Sequence, residues 1–142
     1  MLVLDTNVVS ELMRPEPAPA MAAWIADQDA MYMYLTAVSE AELLYGIAIM
    51  PAGRRRDRLV AAMTRWLDFG FSERILPFDS AAARAYAGIA ADRRFAGRPI
   101  GEADCQIAAI TRSKGAVLVT RNVRDFDGIG VDVINPWSVA QA

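Results

Sequence analysis

What most limits the fold of this chain is a set of apolar runs too short to be helices, each separated from the next by a helical segment. Leu2-Val3-Leu4 is continuously apolar, as expected of a strand buried on both faces. Residues Tyr32 to Leu35, Ile75 to Phe78, Ala116 to Val119 and Val131 to Ile134 read the same way. Between them, Val8 to Met13 predicts a short helix stopped before Pro15, and Met21 to Ala26 a second one. Ser39 followed by Glu42 has the spacing of a capping box, which opens a helix running to Ile49 and ending at Pro51. Arg55 to Phe69 is amphipathic, with Leu59, Met63, Trp66 and Leu67 on one stripe. Asp79 or Ser80 caps a helix to about Arg94, and Gly101 opens one that stops at Lys114-Gly115. Short apolar strands alternating with helices specify an α/β domain with a mainly parallel sheet. Its ligands belong at the carboxyl ends of the strands. A length of 142 residues suits a single domain, 1–142.

Two absences then narrow the chemistry. The chain has no histidine, which excludes Ser-His-Asp and Cys-His nucleophile systems and imidazole metal sites. Its one cysteine, Cys105, excludes an internal disulfide and a thiolate zinc cluster. Catalysis is left to carboxylates, hydroxyls, arginine, the lone Lys114, or a hard cation on oxygen ligands. No apolar run reaches the roughly 18 residues of a membrane span, and no basic region precedes Asp5, so a cytoplasmic protein is expected. The net charge of −2 argues against a nucleic-acid partner. Against that stands the cluster Arg54, Arg55, Arg56 and Arg58; arginine holds phosphate in a bidentate fork, although such a run is also an ordinary solvated helix face.

Four acids have positions that invite a common function. Asp5 directly follows the first strand, where an Asx-turn or helix cap explains it equally well. Glu42 sits in the first turn of its helix, and the capping box with Ser39 accounts for it. Asp104 lies at the head of a helix on the stripe of Ile107, Ala108 and Thr111, where an unpaired carboxylate is costly. Asp125 comes just past the fourth strand. Capping does not require all four to lie at one edge of a parallel sheet. Converging carboxylates raise one another's pKa unless a cation neutralises them, and Mg²⁺ or Mn²⁺ is the hard ion suited to such ligands.

The segments around these acids resemble a known family. Residues 2–11 (Leu-Val-Leu-Asp-Thr-Asn-Val-Val-Ser-Glu), 39–46 (Ser-Glu-Ala-Glu-Leu-Leu-Tyr-Gly), 99–109 (Pro-Ile-Gly-Glu-Ala-Asp-Cys-Gln-Ile-Ala-Ala) and 119–126 (Val-Thr-Arg-Asn-Val-Arg-Asp-Phe) are similar, in order, to PIN-domain proteins of the VapC and FitB toxin type. The ending Asn135-Pro136-Trp137 is also FitB-like. No single motif is specific; the ordered set is. The resemblance implies a three-layer α/β/α sandwich, a Mg²⁺ or Mn²⁺ site, and RNA cleavage by the toxin of a toxin–antitoxin pair. It also implies a homodimer bound by a VapB/FitA-like antitoxin, with apolar surface near Trp24, Met13 and Met21 as the expected contact. By motif position, Asp5, Glu42 and Asp104 are the catalytic and metal-holding acids, accompanied by Thr6 and Thr120. The family often has a fourth acid where this chain has Asn122. Asn122 would then act through a metal-bound water, with Asp125 as the nearest substitute ligand. Arg121 is the expected receiver of substrate phosphate oxygens.

Two other readings remain at this point. A haloacid-dehalogenase-like phosphatase also begins with strand-Asp and binds Mg²⁺, but it needs a second acid at position 7, which is Asn, and a lysine after a strand. A receiver-type phosphoacceptor lacks the same lysine. The second reading is a binding module whose acids only cap helices; it would show no cooperative metal site.

Overall fold

A computed structural model of the chain describes residues 1–138. The expected domain 1–142 therefore ends four residues outside the described part. Five strands, β1 (Leu2–Leu4), β2 (Met33–Thr36), β3 (Ile75–Leu76), β4 (Val117–Val119) and β5 (Asp132–Ile134), form one sheet in the order β3-β2-β1-β4-β5. Every pairing is parallel; Val3 lies opposite both Tyr34 and Leu118.

Six helices cover this sheet: α1 (Thr6–Leu12), α2 (Pro19–Ala26), α3 (Ala37–Ala48), α4 (Arg54–Arg65), α5 (Ser80–Phe95) and α6 (Glu102–Ser113). The side-chain alternation of the strands divides the core in two. Val3 and Leu118 pack with Ile89, Ile107, Ile110 and Phe126 under α5 and α6. Their neighbours Leu4 and Val119 pack with Val8, Met21, Leu43 and Met63 under α1 to α4. That is the expected three-layer α/β/α sandwich, and it explains why the strands are apolar without a polar alternate.

The boundaries moved in ways with physical causes. Helix α1 begins at Thr6, because the Asp5 carboxylate accepts from the Thr6 N–H and caps it. Helix α2 starts at Pro19, whose missing N–H is harmless in a first turn. The capping box at Ser39 is corrected. Thr36, in extended backbone at the end of β2, caps α3 by accepting from the Ser39 N–H at 3.0 Å. Ser39 is inside the helix and buried, and Glu42 stands in the second turn rather than the first. The predicted helix to Phe69 ends at Arg65 and continues as a single π turn over Trp66–Gly70. Strand β3 stops at Leu76 because Pro77 follows. The glycine stop of α6 is as expected, with Gly115 at φ +61.

The chain runs outward from β1 through β2 to β3, then returns to the other side of β1 for β4 and β5. The order therefore reverses between β1 and β4. A crevice opens at the carboxyl ends of those two strands, the usual ligand position in such sheets.

Candidate active site

Asp5 leaves the end of β1 into this crevice and is 4% exposed. Its Oδ1 accepts from the Thr6 N–H at 2.8 Å. Its Oδ2 accepts from the Thr120 hydroxyl at 2.7 Å and from the Asn7 amide at 3.2 Å. Thr120 ends β4, so the Asp5–Thr120 bond spans the switch point. Thr120 also accepts from Asn7 Nδ2 and from the Asn122 N–H, which fills its hydroxyl's capacity. Even with these donors, burial together with the nearby Glu42 raises the Asp5 carboxyl above its ordinary range.

Glu42 is exposed at the crevice wall on α3. Its Oε1 lies 2.7 Å from the Thr6 hydroxyl, which is also 2.9 Å from the Ser39 hydroxyl. Thr6 has one proton, and the charged oxygen is the stronger acceptor, so Thr6 donates to Glu42 and Ser39 completes the chain as donor to Thr6. With Thr36 as the cap, helix capping no longer explains Glu42.

Asp104 projects from the first turn of α6 and is half-buried. Burial, then the charges of Asp5, Asp125 and Glu42, push its carboxyl up to about 6. Among the described residues it has no hydrogen bond and no ion pair. The ion pairs found there are Arg14–Glu11 and Arg98–Asp127.

These three acids line one cleft of about 390 Å³, with Thr6, Asn7, Arg121, Asn122 and Trp137 also on its wall. Asp125 is exposed in the short 3-10 turn Val123–Phe126; it is close enough to act on Asp104 but is not among the cleft-lining residues. Asn7 and Glu11 were absent from the sequence-based site. The signal for them was the polar face of α1, where Asn7, Ser10 and Glu11 recur at helical spacing, with Arg14 just past its end. Trp137 was visible only as part of a terminal motif.

Among the described residues no three acids already stand in a tight chelating cluster. Asp5, Glu42 and Asp104 instead surround the cleft, with oxygen donors only and no cation paired to any of them. That set fits a small hard ion such as Mg²⁺, which binds through one or two carboxylates and keeps waters and phosphate oxygens for the rest of its shell.

Fold and cleft together define an α/β domain that presents uncompensated carboxylates at the switch point of a parallel sheet. The model of the PIN domain matches residues 2–131, and the chain belongs to the PIN-domain family. It is 43% identical over 140 residues to VapC ribonuclease Y4jK of Sinorhizobium fredii, covering 99% of this chain and all of that protein. It is 36% identical to toxin FitB of Neisseria gonorrhoeae, covering 96% of this chain and 99% of FitB. A solved structure of FitAB bound to an IR36 DNA fragment superposes with a TM-score of 0.93 at 35% identity, covering 99% of both chains. The ribonucleases of this family are metal-dependent.

Proposed function

We propose that this chain is a Mg²⁺- or Mn²⁺-dependent endoribonuclease, the toxin of a type II toxin–antitoxin module, acting as one domain in the cytoplasm. The observation that carries the reading is the meeting of Asp5, Glu42 and Asp104, from three separate elements, around one cleft with no cation paired to them among the described residues. Its relatives are named ribonucleases and toxins, which supports the same reading. Among the described residues, no helix is long and apolar enough to cross a membrane.

A divalent ion on Asp5 and Asp104, with Glu42 sharing it, would supply charge neutralisation and an acidified water. The protein's own groups do the rest. Thr120, Thr6 and Asn7 fix the Asp5 carboxylate, and Thr6 orients Glu42 to accept a proton from the attacking water. Arg121 receives a non-bridging phosphate oxygen. Water adds to phosphorus in line and the P–O3′ bond breaks; the departing 3′-oxygen takes a proton from solvent water, leaving a 5′-phosphate and a 3′-hydroxyl. Asn122 contributes through a bound water, and Asp125 adds negative charge near Asp104 as a fourth acid.

The phosphatase alternative fits the site poorly. Both Asp5 oxygens are engaged by donors, and Lys114 ends α6 ten residues, or roughly 15 Å, from Asp104. An exclusively capping role is left without support by Glu42 and Asp104, neither of which caps a helix.

The antitoxin has a suitable seat. A groove of about 810 Å³ between α1, α3 and α4 joins the acid cleft at Thr6 and Glu42. Its floor includes Met13, Leu43, Ile47 and Leu59, and Arg14, Arg55 and Arg58 stand at its rim. An apolar antitoxin segment lying there would reach the carboxylates with a cationic side chain, and the toxin would act as a homodimer in the complex. Of the surface expected for this contact, Met13 lines the groove, Met21 is fully buried and takes no part, and Trp24 is half-buried against the core outside the groove lining. The test is cleavage of a fluorogenic single-stranded RNA beside hydrolysis of a phosphate monoester. RNA cleavage that stops with EDTA and returns with Mn²⁺ is expected; monoester turnover without RNA cleavage would overturn the reading.

A further inference from the structure

Two arginines line the acid cleft, and they are held differently. Arg14 pairs with Glu11 at 3.2 Å. Arg121 forms no ion pair among the described residues, although Asp5, Glu11, Glu42 and Asp104 share its cleft. Its guanidinium lies over the Trp137 ring, 5.4 Å from the centroid.

Both partners are fixed from below. The Arg121 N–H donates to Asn7 Oδ1 at 3.3 Å, which registers the post-β4 loop to the residues that hold Asp5. The Trp137 N–H donates to Asn135 Oδ1 at 3.0 Å in a turn after β5, and the indole packs on the core below α1 to α4. A guanidinium beside several carboxylates is drawn toward them unless something holds it away. An indole face can do so, because guanidinium is planar and weakly hydrated. Stacking uses the face of the group and leaves its edge of N–H donors free for a phosphate.

We propose that Trp137 is a positioning residue, which keeps Arg121 off the cleft carboxylates and presents its N–H edge to a phosphate of the RNA strand. This rests on the ribonuclease reading for the phosphate, but not for the seating of Arg121, which metal binding alone reports.

The experiment measures RNA KM and kcat, and separately Mn²⁺ binding to RNA-free protein by electron paramagnetic resonance. Arg121→Ala should raise KM roughly tenfold, the scale of one lost charge-assisted contact, with little change in kcat. Trp137→Ala should raise KM similarly and also weaken Mn²⁺ binding several-fold, as the released guanidinium competes for the acids. In the double variant, KM should be no higher than in Arg121→Ala alone, and Mn²⁺ binding should return to that of the wild type. Trp137→Phe, which keeps an aromatic face, should restore most of both. Should Trp137→Ala fail to fold, Trp137→Leu must give the same two shifts. Unchanged Mn²⁺ binding in a folded Trp137 variant, additive KM effects, or a double variant still weak in Mn²⁺ would each overturn the proposal. If the wild type cleaves no RNA, the ribonuclease reading fails, and the Mn²⁺ arm still decides how Arg121 is seated.

Discussion

Asp104 carries no hydrogen bond or ion pair among the described residues, and burial with three neighbouring acids lifts its carboxyl from 3.8 to about 6. Between those values the folded state keeps a proton that the unfolded chain has lost, so stability falls as pH rises through the window. Above about 6 the cost is fully present; below about 4 it is absent. Asp104→Asn should therefore stabilise the metal-free protein at pH 7.5 by about 1 kcal/mol, a figure reduced for the water this half-buried group still meets. Urea denaturation at pH 7.5 and pH 4 checks this: a variant less stable than wild type at the higher pH contradicts it. Asp5→Asn is a less clean probe, because it turns the Oδ1 acceptor or its neighbour into a donor facing the Thr6 N–H or Thr120. Charge at the end of β4 has its own test. Asn122→Asp should lower the Mg²⁺ needed for half-maximal cleavage, and Asp125→Asn should raise it. If neither moves the titration, the chemistry rests on three carboxylates.

At the scale of elements, the number and kind of helices and strands were legible from apolar periodicity and from Pro and Gly stops. The cap of α3 was not. Ser39 and Glu42 satisfy the capping-box spacing, but Thr36 sits where the strand's extended backbone meets the helix, and that geometry selects the cap. The difference matters to the site, because a capping Glu42 would be turned to the backbone, whereas a second-turn Glu42 is bound by the Thr6 hydroxyl at the cleft wall. Thr36→Ala should cost about 1–2 kcal/mol, as loss of a buried helix cap does. Ser39→Ala should cost less, since Thr6 keeps its bond to Glu42. Thermal melts of the two variants decide the point, and the reverse order would reinstate Ser39 as the cap.

For the whole molecule, fold class and layering followed from strands apolar on both faces, whereas the strand order did not. Local pattern says that a strand is buried, not which neighbour it pairs with, and it is the pairing of β1 with β4 that places Asp5 and Thr120 side by side at the switch point. Asp5 and Asp104 were legible because each occupies a definite place after a strand or at a helix head, whereas Glu42 was legible as part of its motif and not by the helix-head position expected of it. Other groups of the site, Asn7 and Trp137 among them, act through contacts with Thr120 and Arg121 on distant segments, which spacing does not reveal. In the proposed function, these three carboxylates hold the ion that RNA cleavage requires. A Mn²⁺ titration that follows binding and RNA cleavage together, on wild type and Asp104→Asn, tests it most directly. Cleavage should rise with site occupancy in the wild type, and both should collapse in the variant. Wild-type cleavage by Asp104→Asn, or activity that persists under rigorous chelation, would contradict it.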